Sequence, residues 1–265
     1  MVTDNQNGCS SETMVTVFNT IQNPTIVTNV SSNGIIDCNN PGIILDGTGS
    51  TSGSNFTYYW TFETDPTNVL SNDLIYTTMV PGTFVLTIID PSNGCISTES
   101  VSVTQSIESP TSIVTSNTAT LTCNNPIITL DGTSSSIGSD FTYQWYEIIG
   151  GISTEIVGAD AISYDVNLEG TYELIVTDTE NGCTEASTQV VIDQSLSGPT
   201  VVISNDGILT CTNNDVLLDG LSSTAGGTLE YEWTDANGIV TTGPELTVLT
   251  PGQVSLVITD LSNGC

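Results

Sequence analysis

The chain has 265 residues, of which 37% are hydrophobic, and it carries 30 Asp and Glu residues with no Lys, Arg or His, a formal net charge of −30. Without basic side chains, binding to the phosphates of nucleic acids or anionic lipids is excluded, and so are histidine metal sites, Schiff-base lysines and Ser-His-Asp or Cys-His nucleophiles. Because no apolar run approaches the length of a membrane span, we also expect no membrane insertion.

An Asn-Gly-Cys turn preceded by an Asp occurs four times and divides the chain into repeats. Its cysteines lie at positions 9, 95, 183 and 265, and a second cysteine series and a tryptophan series keep nearly the same step, at Cys38, Cys123 and Cys211 and at Trp60, Trp145 and Trp233. A period of about 85 residues is too long for a solenoid unit and fits a string of small independent domains. We therefore predict repeats at 23–108, 109–197 and 198–265, the last without its final strand, after residues 1–22, which hold the last strand of a truncated repeat.

Within the first full repeat, short apolar segments alternate with turn residues. They predict strand A at 25–29, strand B at 43–47, strand C around Tyr58, Trp60 and Phe62, strand E at 74–80, strand F at 84–90 and strand G at 97–104. An immunoglobulin-like sandwich has seven strands in a domain of about this size, and six of them are placed here. The fold class expected is all-β, with tandem immunoglobulin-like domains forming an extended rod.

The alternation on strands C and F predicts the core. Trp60, Trp145 and Trp233 share the inward phase of their strands, and three positions of each strand F are apolar in every repeat. The intervening positions of strand F are mixed, so one face of its sheet is expected to be buried and the other mostly solvated.

Three motifs carry a resemblance to a known family. Y-x-W on strand C, L-D-G on strand B and G-x-Y-x-L-x-V-x-D on strand F resemble polycystic-kidney-disease-type (PKD) domains and related immunoglobulin-like modules. With the two cysteine series, the pattern is similar to repeats of the giant surface adhesins of Bacteroidota, including the SprB-like gliding adhesins. This resemblance implies type IX export, an extracellular location at the cell surface, and roles in adhesion and gliding motility; residues 61–67 depart from the usual PKD pattern.

Seven cysteines, none in a CxxC pair, indicate disulfides formed in an oxidising compartment. Pairing inside each repeat gives Cys38–Cys95, Cys123–Cys183 and Cys211–Cys265, with Cys9 unpaired, and is the simplest scheme. However, the start of strand B and the F–G turn of one sandwich lie roughly 25 Å apart, beyond disulfide reach. The alternative joins neighbouring repeats through Cys38–Cys183 and Cys123–Cys265, and both schemes stay open at this point.

Calcium is the one cofactor that the residue types allow. The candidate ligands are the carboxylates of the L-D-G and Asn-Gly-Cys motifs, namely Asp46, Asp131 and Asp219 and then Asp90, Asp178 and Asp260. A calcium loop gathers several acidic ligands, whereas each turn here contributes one, so capping of the turn by the Asp side chain is the favoured interpretation. The acids recur at structural positions in every repeat, so no catalytic residue is predicted.

These features favour a structural role as a stalk segment of an extracellular adhesin or surface fibre, with neighbouring repeats or other copies of the chain as partners. One alternative is a module that binds surface polysaccharide, for which the divergent segment 146–159 is the candidate. A second alternative is self-assembly into a filament by donor-strand exchange, because residues 13–18 have the sequence of an isolated strand G. In the linkers, Ile21, Ile107 and Leu196 each precede a proline by three positions, and we hypothesise that they pack at the domain junctions.

Overall fold

The structure is a computed structural model that describes residues 1–19 and 21–265. The chain divides into two compact units, Met1–Glu108 and Ser109–Cys265. All regular structure is β-sheet apart from one short 3-10 turn among the described residues, which confirms the predicted all-β class. No helix in the described part of the chain is long and apolar enough to cross a membrane.

The segment before the first full repeat forms a small hairpin. Strands β1 (Val2–Thr3) and β2 (Ser10–Ser11) pair antiparallel around the first Asn-Gly-Cys turn. Residues 13–18, predicted as a strand G, form no strand, and Val15 and Val17 are 87% and 88% exposed. The predicted strand G at residues 13–18 is therefore wrong for this structure, in which no sheet of the described residues lies against the apolar side chains of the segment.

Repeat 1 is a two-sheet sandwich. Its elements are β3 (Asn29–Val30), a 3-10 turn η1 (Ser31–Gly34), β4 (Ile35–Ile36), β5 (Ile43–Asp46), β6 (Thr57–Phe62), β7 (Asp65–Ser71), β8 (Ile75–Thr78), β9 (Gly82–Asp90) and β10 (Cys95–Gln105). One sheet has the order β3-β5-β8 and the other β4-β10-β9-β6-β7. Strand β10, the predicted strand G, lies between β9 and β4.

Repeat 2 has the same plan. Its strands are β11 (Thr115–Ser116), β12 (Thr120–Thr122), β13 (Ile128–Asp131), β14 (Phe141–Ile149), β15 (Ile152–Glu155), β16 (Ser163–Val166), β17 (Gly170–Asp178), β18 (Thr184–Ala186) and β19 (Val190–Ser195). The sheets are β11-β13-β16 and β12-β19-β17-β14-β15, with β18 also paired to β17. The Tyr172 hydroxyl donates to the Leu168 carbonyl (3.2 Å), a contact typical of the E–F corner in immunoglobulin-like domains.

Repeat 3 contains β20 (Ser204–Asn205), β21 (Val216–Asp219), β22 (Leu229–Thr234), β23 (Val240–Thr242), β24 (Glu245–Val248) and β25 (Ser255–Asp260). They form two three-stranded sheets, β20-β21-β24 and β23-β22-β25. Strand β25 pairs with β22 on one edge, and no strand of the described residues lies on its other edge.

The three tryptophans lie at the centres of the sandwiches and are fully buried. Each indole N–H donates to a backbone carbonyl: Trp60 to Leu74 (3.3 Å), Trp145 to Ala161 (2.9 Å) and Trp233 to Gly243 (3.0 Å). A buried indole without such an acceptor would be destabilising, so these contacts fix the position of each ring.

The outer face of strand F is less solvated than its sequence predicts. Thr87 and Glu173, both at intervening positions, are 6% and 8% exposed. The Glu173 carboxylate accepts hydrogen bonds from Ser153 on β15 (2.6 Å) and from Gln189 just before β19 (3.4 Å). Strand β15, on the far side of strand C, was not predicted; its Ser153 hydroxyl and the Gln189 amide on the strand G side make the burial of Glu173 tolerable.

Candidate functional site

The Asn-Gly-Cys turns share one backbone geometry. In the last copy, the Gly264 amide donates to the Asp260 carbonyl (2.7 Å), and the Asp260 amide donates to the Cys265 carbonyl (2.8 Å). The turn glycines at positions 8, 94, 182 and 264 all have φ between +71° and +74°. In each turn the glycine, and not the asparagine before it, takes the left-handed conformation.

The Asp side chain closes the start of each turn. Asp260 Oδ1 accepts from the amide (2.9 Å) and the hydroxyl (2.6 Å) of Ser262, and Asp90 makes the same two contacts with Ser92. The hydrogen bond from the Ser262 side chain, followed by that from its amide, lowers the pKa of Asp260 below its ordinary value. Asp178 likewise caps the Glu180 amide (2.8 Å).

The L-D-G carboxylates cap turns in the same way. Asp46, Asp131 and Asp219 accept hydrogen bonds from the amides of the residues two positions later. The pKa of Asp46 is lowered mainly by the Thr48 side chain, and that of Asp131 mainly by the Thr133 amide. Within the described residues, no group of three or more His, Cys, Asp or Glu side chains is placed to hold a metal ion. Calcium binding therefore stays a prediction, and the observed role of these carboxylates is capping.

The turn asparagine links the turn to the interdomain linker. Its Oδ1 accepts the amide of the following cysteine, at 3.0 Å for Asn263 and 2.8 Å for Asn93. Its Nδ2 is then free to donate elsewhere: Asn263 donates to the Ser197 carbonyl (3.1 Å), and Asn93 donates to the Gln22 carbonyl (3.2 Å). Ser197 and Gln22 occupy equivalent positions, so this contact recurs in two repeats, and the sequence motifs gave no direct sign of it.

A disulfide joins repeats 2 and 3 inside the second unit. Cys123, in the loop between β12 and β13, is bonded to Cys265 in the turn after β25, with Cα atoms 5.0 Å apart. Next to it, the Asn124 amide donates to the Asn263 carbonyl (3.4 Å), and Gly264 lies directly against the Asn124 side chain. Asn263 is 5% exposed, so the turn is seated on the end of repeat 2.

The Cys123–Cys265 bond belongs to the scheme that joins neighbouring repeats. Cys123 is bonded to Cys265, so pairing within the repeats, Cys123–Cys183 and Cys211–Cys265, is wrong. Cys38 is disulfide-bonded while Cys95 is a free thiol, so Cys38–Cys95 is wrong as well. Strand β17 runs nine residues from the β12 end of repeat 2 to the turn that holds Cys183, which separates the two ends of the sandwich by about 27 Å.

The remaining cysteines differ in state. Cys183 is disulfide-bonded, whereas Cys9, Cys95 and Cys211 are free thiols. Cys9 and Cys211 are exposed, and Cys95 is partly buried. Cys95 belongs to an Asn-Gly-Cys turn like Cys265, and Cys211 belongs to the loop before strand B like Cys123. These two free thiols are therefore equivalent to the two cysteines of the observed disulfide.

At the junction inside the second unit, Leu196 is not packed as hypothesised. Ile21, Ile107 and Leu196 are 79%, 50% and 47% exposed. The prolines that follow are more enclosed, with Pro24 and Pro110 buried. In the linkers before repeats 1 and 3, the turn asparagine also donates a hydrogen bond to the linker backbone.

The divergent segment 146–159 lies on strands β14 and β15. It is a hairpin that turns at Gly150 and Gly151, both with positive φ, and Ile149 and Ile152 at its tip are 56% and 70% exposed. Its apolar tip differs from an aromatic sugar platform, so the structure adds no support for polysaccharide binding there.

Comparison with known proteins finds remote likeness only. No family model matches the chain, and no curated protein matches it. Among solved structures, it is similar to the three N-terminal domains of the Highly Immunogenic Outer Capsid protein (Hoc) of bacteriophage RB49, at 14% identity and a TM-score of 0.34, covering 84% of this chain and 80% of that one.

Two further structures resemble the chain. The FN1–FN3 domains of chicken CNTN1 match at 12% identity and a TM-score of 0.29, with 90% of this chain and 99% of that one covered. The BSP domain of a biofilm associated protein matches at 12% identity and a TM-score of 0.20, with 65% and 29% covered. With every TM-score below 0.5, none of these likenesses bears on function.

Proposed function

We propose that the chain is a structural segment of a long extracellular adhesin or surface fibre, whose repeats are tied to their neighbours by disulfides. The observation that supports it is the Cys123–Cys265 bond inside the second unit. It spans a sequence separation of 142 residues and crosses the linker between repeats 2 and 3.

The surroundings of this bond fit a mechanical role. A linker of Ser, Gly and Pro residues alone would leave the two domains free to move. Here the disulfide and the Asn263 hydrogen bonds hold the turn of repeat 3 on the end of repeat 2. Tension along the chain would therefore be borne by a covalent bond in parallel with the linker.

The chemistry also favours a location outside the cytoplasm. Structural disulfides persist in oxidising compartments, and Cys123 is exposed to reductant. A surface without Lys or Arg has no cleavage site for trypsin-like proteases, and a net charge of −30 disfavours aggregation.

The finer proposal rests on the resemblance to PKD-type repeats of Bacteroidota surface adhesins. It adds type IX export, display at the cell surface, and a contribution to adhesion and gliding motility. We propose a non-catalytic role, with neighbouring repeats or other copies of the chain as partners.

The test starts from disulfide mapping in the producing cells. Intact cells are treated with a thiol-blocking reagent and then with a protease that cuts at acidic residues, and the released peptides are analysed by mass spectrometry. We expect linked peptides containing Cys123 and Cys265 in the surface-released fraction. Recovery of both cysteines as blocked thiols, or only after cell lysis, would contradict the proposal.

A stability measurement tests the load-bearing part. Loss of the bond in Cys123→Ser should lower the unfolding free energy of the second unit by roughly 2–5 kcal/mol, since a loop of this length restricts the unfolded chain. Cys211→Ser, which removes a free exposed thiol, is the matched control and should leave urea unfolding unchanged. Equal unfolding free energies of the two variants would show that the bond does not stabilise the second unit.

A further inference from the structure

The outer face of one sheet of repeat 2 carries a polar cleft. The cleft measures about 500 Å³, which is within the usual size of ligand pockets, and it lies across β11, β13 and β16. The inner face of the same sheet packs on the core through Ile128 and Leu130, which are 1% and 0% exposed. Only Ser, Thr, Asn and Asp residues line the cleft, so every side chain in it can form hydrogen bonds.

The pairing of the strands fixes where these side chains lie. Asp131 on β13 is opposite Thr115 on β11 and opposite Ser163 on β16. Because successive side chains of a strand point to opposite faces and Leu130 is in the core, Asp131 and its two partners lie on the outer face. Thr129, two positions before Asp131, lies on that face as well. A rigid sheet therefore holds an array of polar groups at fixed spacing.

Several of these groups make no hydrogen bond within the chain. The hydroxyls of Thr115 and Ser163 and the side-chain amide of Asn117 have no hydrogen-bond partner in the described part of the chain. The carboxylate of Asp131 accepts the Thr133 amide (2.9 Å), and a carboxylate has about four lone-pair positions, so it can accept further hydrogen bonds. Donors and acceptors thus stand side by side and are available to a ligand.

The other repeats have apolar side chains at two positions of this face. In repeat 1, Ile44 and Ile75 stand where repeat 2 has Thr129 and Ser163, and they are 46% and 51% exposed. In repeat 3, Leu217 stands at the position of Thr129. The fold of the repeat does not require hydroxyls at these positions, so the polar cleft of repeat 2 points to a role other than folding.

The charge of the chain restricts the ligand. With no Lys, Arg or His and a net charge of −30, the chain repels ligands that carry phosphate, sulfate or carboxylate groups. A cation would meet a single carboxylate in the lining, that of Asp131. An apolar ligand would leave the lining groups without hydrogen-bond partners, which is unfavourable. The ligand that fits is uncharged and rich in groups that both donate and accept.

A polysaccharide meets these requirements better than a peptide. Extended peptides bind at the edge of a sheet, where their backbone adds a strand. The cleft lies on a face, and β13 at its centre is already paired with β11 and β16. Sugar hydroxyls donate and accept hydrogen bonds, so they can pair with hydroxyl, amide and carboxylate side chains without any backbone partner.

We propose that this cleft binds a short segment of an uncharged polysaccharide through hydrogen bonds to Thr115, Asn117, Thr129, Asp131 and Ser163. No aromatic ring lines the cleft, so the sugar gains no stacking contact and binding to a single cleft is weak. Copies of the chain displayed side by side on a surface would bind one polymer together and so more tightly. This activity is additional to the structural role proposed above and does not depend on it.

Affinity electrophoresis of the whole chain tests the proposal. Native gels containing one of three uncharged polysaccharides, dextran, mannan or laminarin, are compared with a gel that contains none. Because of its net charge of −30, the chain migrates towards the anode in every gel. We expect migration to be slowed in at least one of the three gels, increasingly with polysaccharide concentration and equally with and without EDTA.

The decisive variant gives the cleft the side chains of repeat 1. Thr129→Ile combined with Ser163→Ile should weaken binding about tenfold or more, because two hydrogen-bonding groups are lost. The matched control is Thr142→Ile combined with Thr177→Ile, a cross-strand pair on β14 and β17 in the other sheet, which should change binding less than about twofold. Isoleucine suits strand positions, and urea unfolding of both variants checks that the fold is kept.

Unchanged migration in all three gels, or an equal loss of binding in the two variants, would overturn the inference. Slowed migration that EDTA abolishes would overturn it too, because a bound cation and not the side chains of the cleft would then hold the sugar. None of these results bears on the structural role, which is tested through the Cys123–Cys265 bond.

Discussion

Repeats 2 and 3 place apolar side chains at the same positions of the same strands but bury them to different depths. Ile128, Leu130 and Leu174 are 0–1% exposed in repeat 2. Of their equivalents in repeat 3, Val216 is 8% exposed, and Leu218 and Leu256 are only partly buried. The sequence ends in the turn after β25, so the structure has β19 beside β17 in repeat 2 and no residues at the equivalent place in repeat 3.

The comparison shows which interactions belong to a single repeat and which are shared. The tryptophan and its carbonyl acceptor form in both repeats, so they depend only on strands C to F. Strand G is needed to cover the core. The position of the Asn-Gly-Cys turn depends on contacts with the preceding repeat. The turn at the end of repeat 3 is thus held in place by repeat 2.

The largest effect should come from making repeat 2 resemble repeat 3. Ile192→Ala removes the main strand G side chain from the core of repeat 2 and should cost about 2–5 kcal/mol in the free energy of unfolding. Val191→Ala, next to it and 55% exposed, is the control and should change stability by no more than about 0.5 kcal/mol.

Hydrogen exchange of peptides from β17, followed by mass spectrometry, measures this loss locally. If β17 exchanges at the same rate in the two variants, the Ile192 side chain does not account for the deeper burial of the core in repeat 2.

A smaller effect is expected at the turn that repeat 2 supports. Gly94 and Gly264 have nearly the same φ, +74° and +73°, so an alanine at either position should cost about 1–2 kcal/mol in backbone strain. A Cβ at Gly94 meets nothing, whereas one at Gly264 would overlap the Asn124 side chain. Gly264→Ala should therefore also weaken the Cys123–Cys265 bond in a glutathione redox titration, by about tenfold or more.

The control in that titration is Gly94→Ala, which should leave the Cys123–Cys265 equilibrium unchanged. Adding Asn124→Gly to Gly264→Ala removes the overlap and should restore the bond. Failure of this rescue would show that the strained backbone, and not the docking of the turn, is responsible.

The smallest effect is a pH dependence of repeat 3. Hydrogen bonds from Ser262 lower the pKa of Asp260 below its ordinary value of 3.8. A carboxylate whose pKa is lowered by folding stabilises the folded state above its ordinary pKa, and this stabilisation is lost as the pH falls through the folded value. Exchange protection of β25 should therefore decrease below about pH 4.

Asp260→Asn should reduce this pH dependence in β25, while Asp235, whose pKa is lowered mainly by the Ile239 amide, keeps part of the acid sensitivity of repeat 3. The pKa of Asp131 in repeat 2 is lowered as well, so the acid sensitivity of repeat 2 should persist in that variant. An unchanged pH profile for β25 would mean that the carboxylate does not cap the turn in solution.

Sequence periodicity predicted much of each sandwich. The predicted strand B at 43–47 is β5, strand F at 84–90 lies within β9, and strand G at 97–104 lies within β10. Alternation succeeds here because one face of each strand must pack against Trp60 and its neighbours. Strand β7 was missed because its residues are mostly exposed and show no alternation.

The candidate site was predicted less completely. The turn with its Asp cap follows from local chemistry, since Asp90 and Asn93 bond to backbone within the turn. The contact of Asn93 with the linker carbonyl of Gln22 joins residues 71 positions apart, and no local pattern encodes it.

The sequence by itself determined how many repeats there are, which strands they contain and how each turn is built, because these depend on interactions between residues close together in the chain. Only the tertiary structure decided that Cys123 reaches Cys265 and that Asn263 donates to the linker carbonyl of Ser197. Both depend on what lies at the ends and edges of a sandwich, where residues far apart in sequence meet.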